Sequence, residues 1–318
     1  MSGEGDGGHQ DSSGAIAAAF LANLGIAAAK FVGFVITGSS ALLAESIHSV
    51  ADSSNQGLLA LGGRRARRDP TALHPFGFAR SRYFWSFVVA IVLFALGGLF
   101  SLYEGYHKVT EPEEIASPAV AFAIFGVAIV FEAFALRTAA RHARPERRGR
   151  SWVTYVRTSR SPELPVLLLE DSGALIGLIL ATAGVALALI TGNPLFDGLG
   201  TLAIGVLLVA IAIVLAIEMK SLLIGEAASP EVIQRIETEL DHSPDVRRVI
   251  HVLTQHLGPE ELLVAAKVQF EDSLAVAELV GALDGCEARV RSAVPMAKFI
   301  YLEPDILTEE GGGSPPRN

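Results

Sequence analysis

Two apolar runs, Pro165–Thr191 and Pro194–Leu223, are joined by only Gly192 and Asn193. Each exceeds the roughly 20 residues that a helix needs to cross a bilayer. Hydrocarbon offers no water to backbone N–H and C=O groups, so runs of this kind fold as helices that satisfy those groups internally. Three more runs meet the same length: Ala15–Thr37, Tyr83–Tyr103 and Pro118–Ala140. Composition agrees, since 51% of the 318 residues are hydrophobic and 19% charged, where soluble domains carry about 25%.

A sixth run, Ser40–Gly63, contains AESIHSVADSSNQ and qualifies as a span only if its polar groups face inward. The loop charges require it. Arg64, Arg65, Arg67, Arg68, Arg80 and Arg82 fill the connection after it, and Arg137, Arg141, Arg144, Arg147, Arg148, Arg150, Arg157 and Arg160 fill that between the fourth and fifth spans. The alternate connections are Gly38-Ser39, the acidic loop Glu104–Ser117, and Gly192-Asn193. With six spans all basic loops fall on one side, and the positive-inside rule makes both termini cytoplasmic in a cell membrane. The tail Met1–Gly14 carries Glu4, Asp6 and Asp11 with no basic region before the first span, so it does not read as a secretory signal peptide.

The polar groups of the sixth run are ordered. At about 100° per residue, Glu45, His48, Asp52, Asn55 and Gln56 fall within about one third of the helix circumference. Burying a charge at such depth costs roughly 2.5–3.5 kcal/mol on insertion scales, so the stripe faces protein or water. His48 and Asp52, one turn apart, can hold one divalent ion through imidazole nitrogen and carboxylate oxygen, a donor set suited to zinc and similar metals. The competing reading is a polar network that only binds helices together. A metal site needs a second helix, and the fifth span offers Glu170 and Asp171. From the 1.5 Å rise per residue, Asp52 lies about 18 Å below its outer end and Glu170 about 8 Å above its inner end. In a core about 30 Å thick these levels agree within a turn. Glu170 shares a face with Gly173, Ala174, Gly177, Ala181 and Gly184, and small residues there are expected to press against the second span. For both acids the alternative is a helix N-terminus that favours carboxylates. Glu132 of the fourth span lies near the depth of Asp52 and either joins the cavity or pairs with Arg137. Asn23 and Lys30 share a face of the first span, where Lys30 can pair with Glu45, and Asp197 reads as a helix-start carboxylate.

The last 80-odd residues change character. Pro230–His242 reads as an amphipathic helix after a Ser229 cap, Val246–Leu257 and Glu261–Phe270 as strands joined at Gly258-Pro259, Ala275–Arg291 as a helix and Lys298–Glu303 as a last strand. Val264, Ala266, Val268 and Phe270 make the period-two apolar face. The order αββαβ suggests a small two-layer α/β domain in the cytoplasm. His251 and His256, five apart on a strand, point to opposite faces and form no chelate. The net charge of −9 argues against nucleic-acid binding, and a single cysteine, Cys286, excludes a disulfide framework or a Cys-rich metal cluster. The expected organisation is a tail (1–14), a transport domain (15–225), a cytoplasmic domain (226–305) and a second tail (306–318).

The segment SSALLAESIHSVADSSNQ, followed by HPFGFARSRYFWSFVVAIVLFALGGLFSLYEGYHKV, resembles the cation diffusion facilitator family. So do the six spans and the αββαβ domain, which together cover about residues 14–305. The run LLEDSGALIG from Leu168 to Gly177, with Arg160-Ser-Pro before it and Thr191-Gly-Asn-Pro after it, is similar to the branch containing the animal mitochondrial zinc exporter. The resemblance implies a polytopic α-helical membrane protein with a ferredoxin-like cytoplasmic domain. It implies a homodimer that exports Zn²⁺, or Fe²⁺, Mn²⁺ or Co²⁺, in exchange for protons by alternating access, with no prosthetic group. The family's His-x-x-x-Asp of span two is matched by His48 and Asp52. Span five departs from the usual His/Asp-x-x-x-Asp: four residues after Glu170 stands Ala174 and four before Asp171 stands Leu167, so either register loses one ligand. Glu132, Glu45 or water would complete the shell. Two other readings carry less: a membrane metalloenzyme lacks its several His-rich motifs, and a metal-binding sensor or scaffold is the other class to separate by flux.

Overall fold

The computed structural model describes residues 24–306. The first expected tail, residues 15–23 of the first span (Asn23 among them) and residues 307–318 of the second tail lie outside the described residues. The chain runs α1 (Leu24–Thr37), α2 (Ser40–Ala66), α3 (Ser81–Thr110), α4 (Pro118–Arg147), α5 (Trp152–Thr158), α6 (Glu163–Thr191) and α7 (Leu195–Ile224). There follow α8 (Pro230–Asp241), β1 (Val246–Gly258), β2 (Glu261–Phe270), α9 (Val276–Ala293) and β3 (Ala297–Pro304). These elements form two compact units: the described residues up to Arg65 with Ser81–Lys220, and Ala66–Arg80 with the described residues from Ser221 on.

The first unit is a helical bundle. Helices α3, α4, α6 and α7 are each long and apolar enough to cross a membrane. Helix α2 has 27 residues, but its polar stripe lowers its hydropathy. Local chemistry sets the helix ends. Gly38 takes a left-handed φ of 69° after α1, Gly192 takes 64° after α6, and Pro118 stands in the first turn of α4, where a missing N–H costs nothing. The core gathers Leu42, Val89, Leu93, Phe125, Leu178, Ile204, Leu208 and Leu215, all at most 1% exposed. Helices α3 and α7 touch through backbone. A methyl group added at Gly105 would lie 2.6 Å from the Leu202 nitrogen, and one at Gly205 would lie 2.8 Å from the Leu102 nitrogen. Glycine is what permits this approach.

Two buried polar contacts fix α2. Lys30 on α1 donates to Glu45 Oε2 at 2.9 Å and to Ser49 Oγ at 2.8 Å, with both charged side chains fully buried. At the other end of the bundle's first hairpin, Asp197 accepts from Ser39 Oγ at 2.9 Å, from the Ser40 backbone N–H at 3.0 Å and from Ser40 Oγ at 3.2 Å. Asp197 does stand in the first turn of its own helix, but its carboxylate caps α2 rather than α7.

The small residues on α6 pack differently from expectation. Gly177 does meet α2, since a methyl there would lie 2.8 Å from Glu45 Oε1. Gly173 and Gly184, however, face α7: the first meets Ile211 and the second lies against the Phe196 carbonyl and Gly200. The short turn at Gly192 holds α7 beside α6, and Gly200 supplies the matching flat surface, so the hairpin partner takes most of this face.

The second unit is a three-stranded sheet in the order β1-β2-β3, with β1 and β2 antiparallel and β2 and β3 parallel. Along β2 side chains alternate strictly, and Val264, Ala266, Val268 and Phe270 are buried against α8 and α9 with Ile236, Leu240 and Val290. Cys286 is in this core, and burial raises its thiol pKa above the ordinary value. His256 is buried, with Nδ1 3.3 Å from the Gly258 carbonyl oxygen, and Lys267 pairs with Glu303 at 3.2 Å and Asp305 at 2.7 Å. Phe76, from the segment after α2, meets Phe299 edge-on at 5.2 Å.

Gly105→Leu drives a side chain into the α7 backbone, whereas Gly126→Ala on α4 meets nothing within 4 Å. The first is expected to abolish monodisperse protein in detergent size-exclusion profiles and the second to leave the profile unchanged. Lys30→Met alone strands a buried carboxylate, at a cost of about 3–5 kcal/mol. A large drop in thermal midpoint is expected, with most of it regained in Lys30→Met/Glu45→Leu.

Candidate metal centre

Beyond Glu45, which Lys30 of α1 engages, helix α2 presents its polar stripe to three further neighbours. Toward α6, Asn55 Nδ2 donates to Glu170 Oε1 at 2.6 Å, which sets these two residues at one level in the bundle. Toward α3, His48 stands over Gly97, where a methyl group would lie 3.6 Å from His48 Nδ1. This stretch of α3, Leu93–Leu99, is wound as a π-helix. Such turns are rare and recur at functional sites, because the wider winding re-aims the side chains around it. Toward α4, a cavity of about 50 Å³ is lined by Ser49, Asp52 and Gln56 of α2 with Glu132 of α4 and Asp171 of α6.

The six candidate ligands therefore divide. Asp52, Asp171 and Glu132 border one cavity. Glu170, adjacent in sequence to Asp171, turns about 100° away to meet Asn55. His48 Nε2 lies 3.5 Å from Asp52 Oδ2, within ion-pair range but without hydrogen-bond geometry. Glu45 is committed to Lys30 through one oxygen, while its Oε1 faces Gly177. Among the described residues no ion pair joins Glu132 to Arg137, and no three His, Cys, Asp or Glu side chains are clustered tightly enough to grip one ion.

Electrostatics and polar satisfaction set the chemistry. Both nitrogens of His48, Oδ1 of Asp52, Oδ1 of Asn55 and Oε1 of Glu45 are buried with no hydrogen-bond partner. A buried polar atom without a partner costs about 1–3 kcal/mol, and more when charged. Among the described residues no Lys or Arg forms an ion pair with Asp52, Glu132, Glu170 or Asp171. Carboxylates placed this way require protons or a cation, and imidazole nitrogen with carboxylate oxygen is a donor set for a divalent transition metal.

Spacing on α2 revealed the stripe, whereas the π turn and Gly97 behind His48 escaped sequence reasoning. A lone Gly-Gly pair in an apolar run carries no winding signal, so only the three-dimensional neighbour identifies it.

Residues 16–224 match the cation efflux transmembrane domain family. The chain is 36% identical over 244 residues to the human mitochondrial proton-coupled zinc antiporter SLC30A9, covering 76% of this chain and 43% of that protein. It is 28% identical over 269 residues to metal tolerance protein C4 of Arabidopsis thaliana, covering 84% and 59%. It is 25% identical over 248 residues to zinc transporter ZitB of Pectobacterium atrosepticum, covering 77% and 72%. The chain thus spans less than half the length of the human relative. With the match extending over the whole helical bundle and the stripe on α2 at its centre, the chain belongs to the cation efflux family, the cation diffusion facilitators, near the SLC30A9 branch.

Proposed function

We propose that this protein is a secondary transporter that moves a divalent cation, Zn²⁺ first, out of the compartment holding its termini in exchange for protons. One observation carries the reading: an imidazole, two carboxylates and an amide on α2 keep buried atoms without partners inside an apolar bundle. A stable scaffold would pair them, whereas a site that takes up and releases an ion leaves them available. Two relatives are named as zinc transporters, one of them proton-coupled, which supports the choice of cargo and counter-ion.

In this reading α1 and α2 cross the membrane with the four apolar helices, and the arginine-rich connections hold both termini on the cytoplasmic side. Residues 15–225 transport, and 226–305 serve as a dimerisation module. His48 and Asp52 are the primary ligands, and Asp171 and Glu170 provide the second half of the shell. Glu132 shares the cavity with Asp52 and Asp171, and is the auxiliary group. Glu45 is the weaker auxiliary, because Lys30 already neutralises it. The ligands must be deprotonated to hold metal, so protons and metal compete for the same groups. When the cavity faces the cytoplasm, metal displaces protons, and when it faces the opposite side, protons displace metal. His48, of a residue type that titrates near neutrality, is the natural coupling group.

In proteoliposomes with a zinc-sensitive dye inside and an imposed proton gradient, His48→Ala and Asp52→Asn are expected to lower flux at least about tenfold, the factor that a lost ligand worth about 1.4 kcal/mol gives. Glu132→Gln should lower it less, and each protein should still run as a single species in detergent. Normal flux in Asp52→Asn sinks the site assignment. Metal binding without flux in the unsubstituted protein supports the sensor reading instead. Because bound metal excludes protons, Zn²⁺ affinity of the purified protein, read by titration calorimetry, should fall as pH falls from 7.5 to 6, by about tenfold or more. A flat affinity over that interval argues against shared groups.

A further inference from the structure

Away from the polar cavity, the bundle holds a groove of about 590 Å³ formed by Leu136 and Ala140 of α4, Val153 and Val156 of α5, Leu169 of α6 and Val214 of α7. Its volume matches that of small-molecule sites, and its walls are hydrocarbon. Val153 is 66% exposed and Trp152 39% exposed, so the mouth stands open along α5. The groove is held in shape from behind. Tyr155, on the opposite side of α5, is buried with Ala139, Ala143 and Leu168, and its hydroxyl donates to Glu146 at 2.9 Å.

Charge selects the occupant. Arg157 lines the groove and is exposed, with no acidic partner among the described residues. Arg147 lies over the Trp152 ring at 4.5 Å, and its Nε is buried without a partner. From Arg137 to Arg160 the chain holds eight arginines and a single carboxylate, Glu146, which Tyr155 already engages. An apolar slot beside the exposed Arg157, at the end of helices apolar enough to cross a membrane, has the complementarity of one ligand class: hydrocarbon chain and anionic headgroup.

We propose that this groove binds an anionic phospholipid, with an acyl chain between α5 and α6 and the headgroup phosphate on Arg157. The inference rests on the bundle being embedded in a membrane, and not on what it carries. The site lies directly behind the proposed metal centre. Leu168, Leu169 and Ser172 line the groove, while Glu170 and Asp171 of the same turn face α2 and the polar cavity. A bound lipid therefore braces the turn of α6 that presents both carboxylates.

Trp152 lines the groove and reports on it directly. In a Trp85→Phe background, full-length protein is placed in nanodiscs containing a graded series of mole fractions of either phosphatidylglycerol or phosphatidylcholine, each brominated at the same acyl positions. The brominated anionic lipid is expected to quench Trp152 at about fivefold lower mole fraction than the zwitterionic one, the preference one arginine confers near an anionic surface. Arg157→Gln should bring the two lipids to near parity and Arg157→Lys should keep the preference. Equal quenching by both lipids in the Arg157 protein marks ordinary boundary lipid and overturns the proposal. So does a preference that survives Arg157→Gln. Quenching by neither lipid means that protein, such as a second copy of this chain, covers the groove, and overturns it as well. The readout needs no metal, so a failure here is distinct from a failure of transport.

Discussion

A helix that carries an imidazole, carboxylates and amides into an apolar bundle needs a neighbour for each of them. That one constraint arranges the rest of this molecule, because each neighbour of α2 answers one of its polar groups. Helix α1 supplies Lys30 to Glu45 and Ser49, α7 supplies Asp197 to Ser39 and Ser40, and α6 supplies Glu170 to Asn55. Helix α3 yields space rather than a partner, with Gly97 opposite His48. The answers are incomplete along the stripe from Glu45 to Asn55, where buried atoms of Glu45, His48, Asp52 and Asn55 have no partner. Contacts that fix α2 and atoms left without partners share this helix, and Glu45 and Asn55 each carry one of both kinds.

Adjacent carboxylates on α6 look like a defective version of a one-turn ligand pair. In the bundle they act as two separate arms. One turn of helix aims Glu170 at α2 and Asp171 at a cavity shared with α4. Two acids at neighbouring positions can therefore serve two surfaces, which a pair four apart on one face cannot do. This gives the fourth helix, through Glu132, a position at the cavity that a strictly two-helix arrangement would deny it.

Much of this was legible in the residues. Hydrophobic run length gave the long helices, period-two alternation gave β2, and the order αββαβ followed from Gly258-Pro259 and the amphipathic flanks. The stripe on α2 and the level of Glu170 followed from helical geometry alone. What escaped was always a matter of which neighbour fills a face. The small residues of α6 identified a close contact, but α7 took most of it, because a tight turn keeps consecutive helices together and Gly200 leaves room. Asp197 looked like an ordinary first-turn acid until Ser39 and Ser40 were brought to it across 157 residues or more. Ala66–Arg80 joins the C-terminal unit through contacts such as Phe76 with Phe299, which no local pattern announces.

The glycine contacts between α3 and α7 have a mechanical meaning. Side chains that interlock can re-sort their rotamers and let two helices slide in small steps. A seam made of Gly98, Gly105, Gly198 and Gly205 against opposing backbone has almost nothing to re-sort. Helices α3 and α7 are therefore a single plate, which travels intact or comes apart. The junctions of α2 are of the other kind. Lys30 with Glu45 and Asn55 with Glu170 are latches, able to open and re-form at the ends of side chains. Side-chain motion alone can undo the latches and not the plate, so the freedom left to this bundle lies at the junctions of α2.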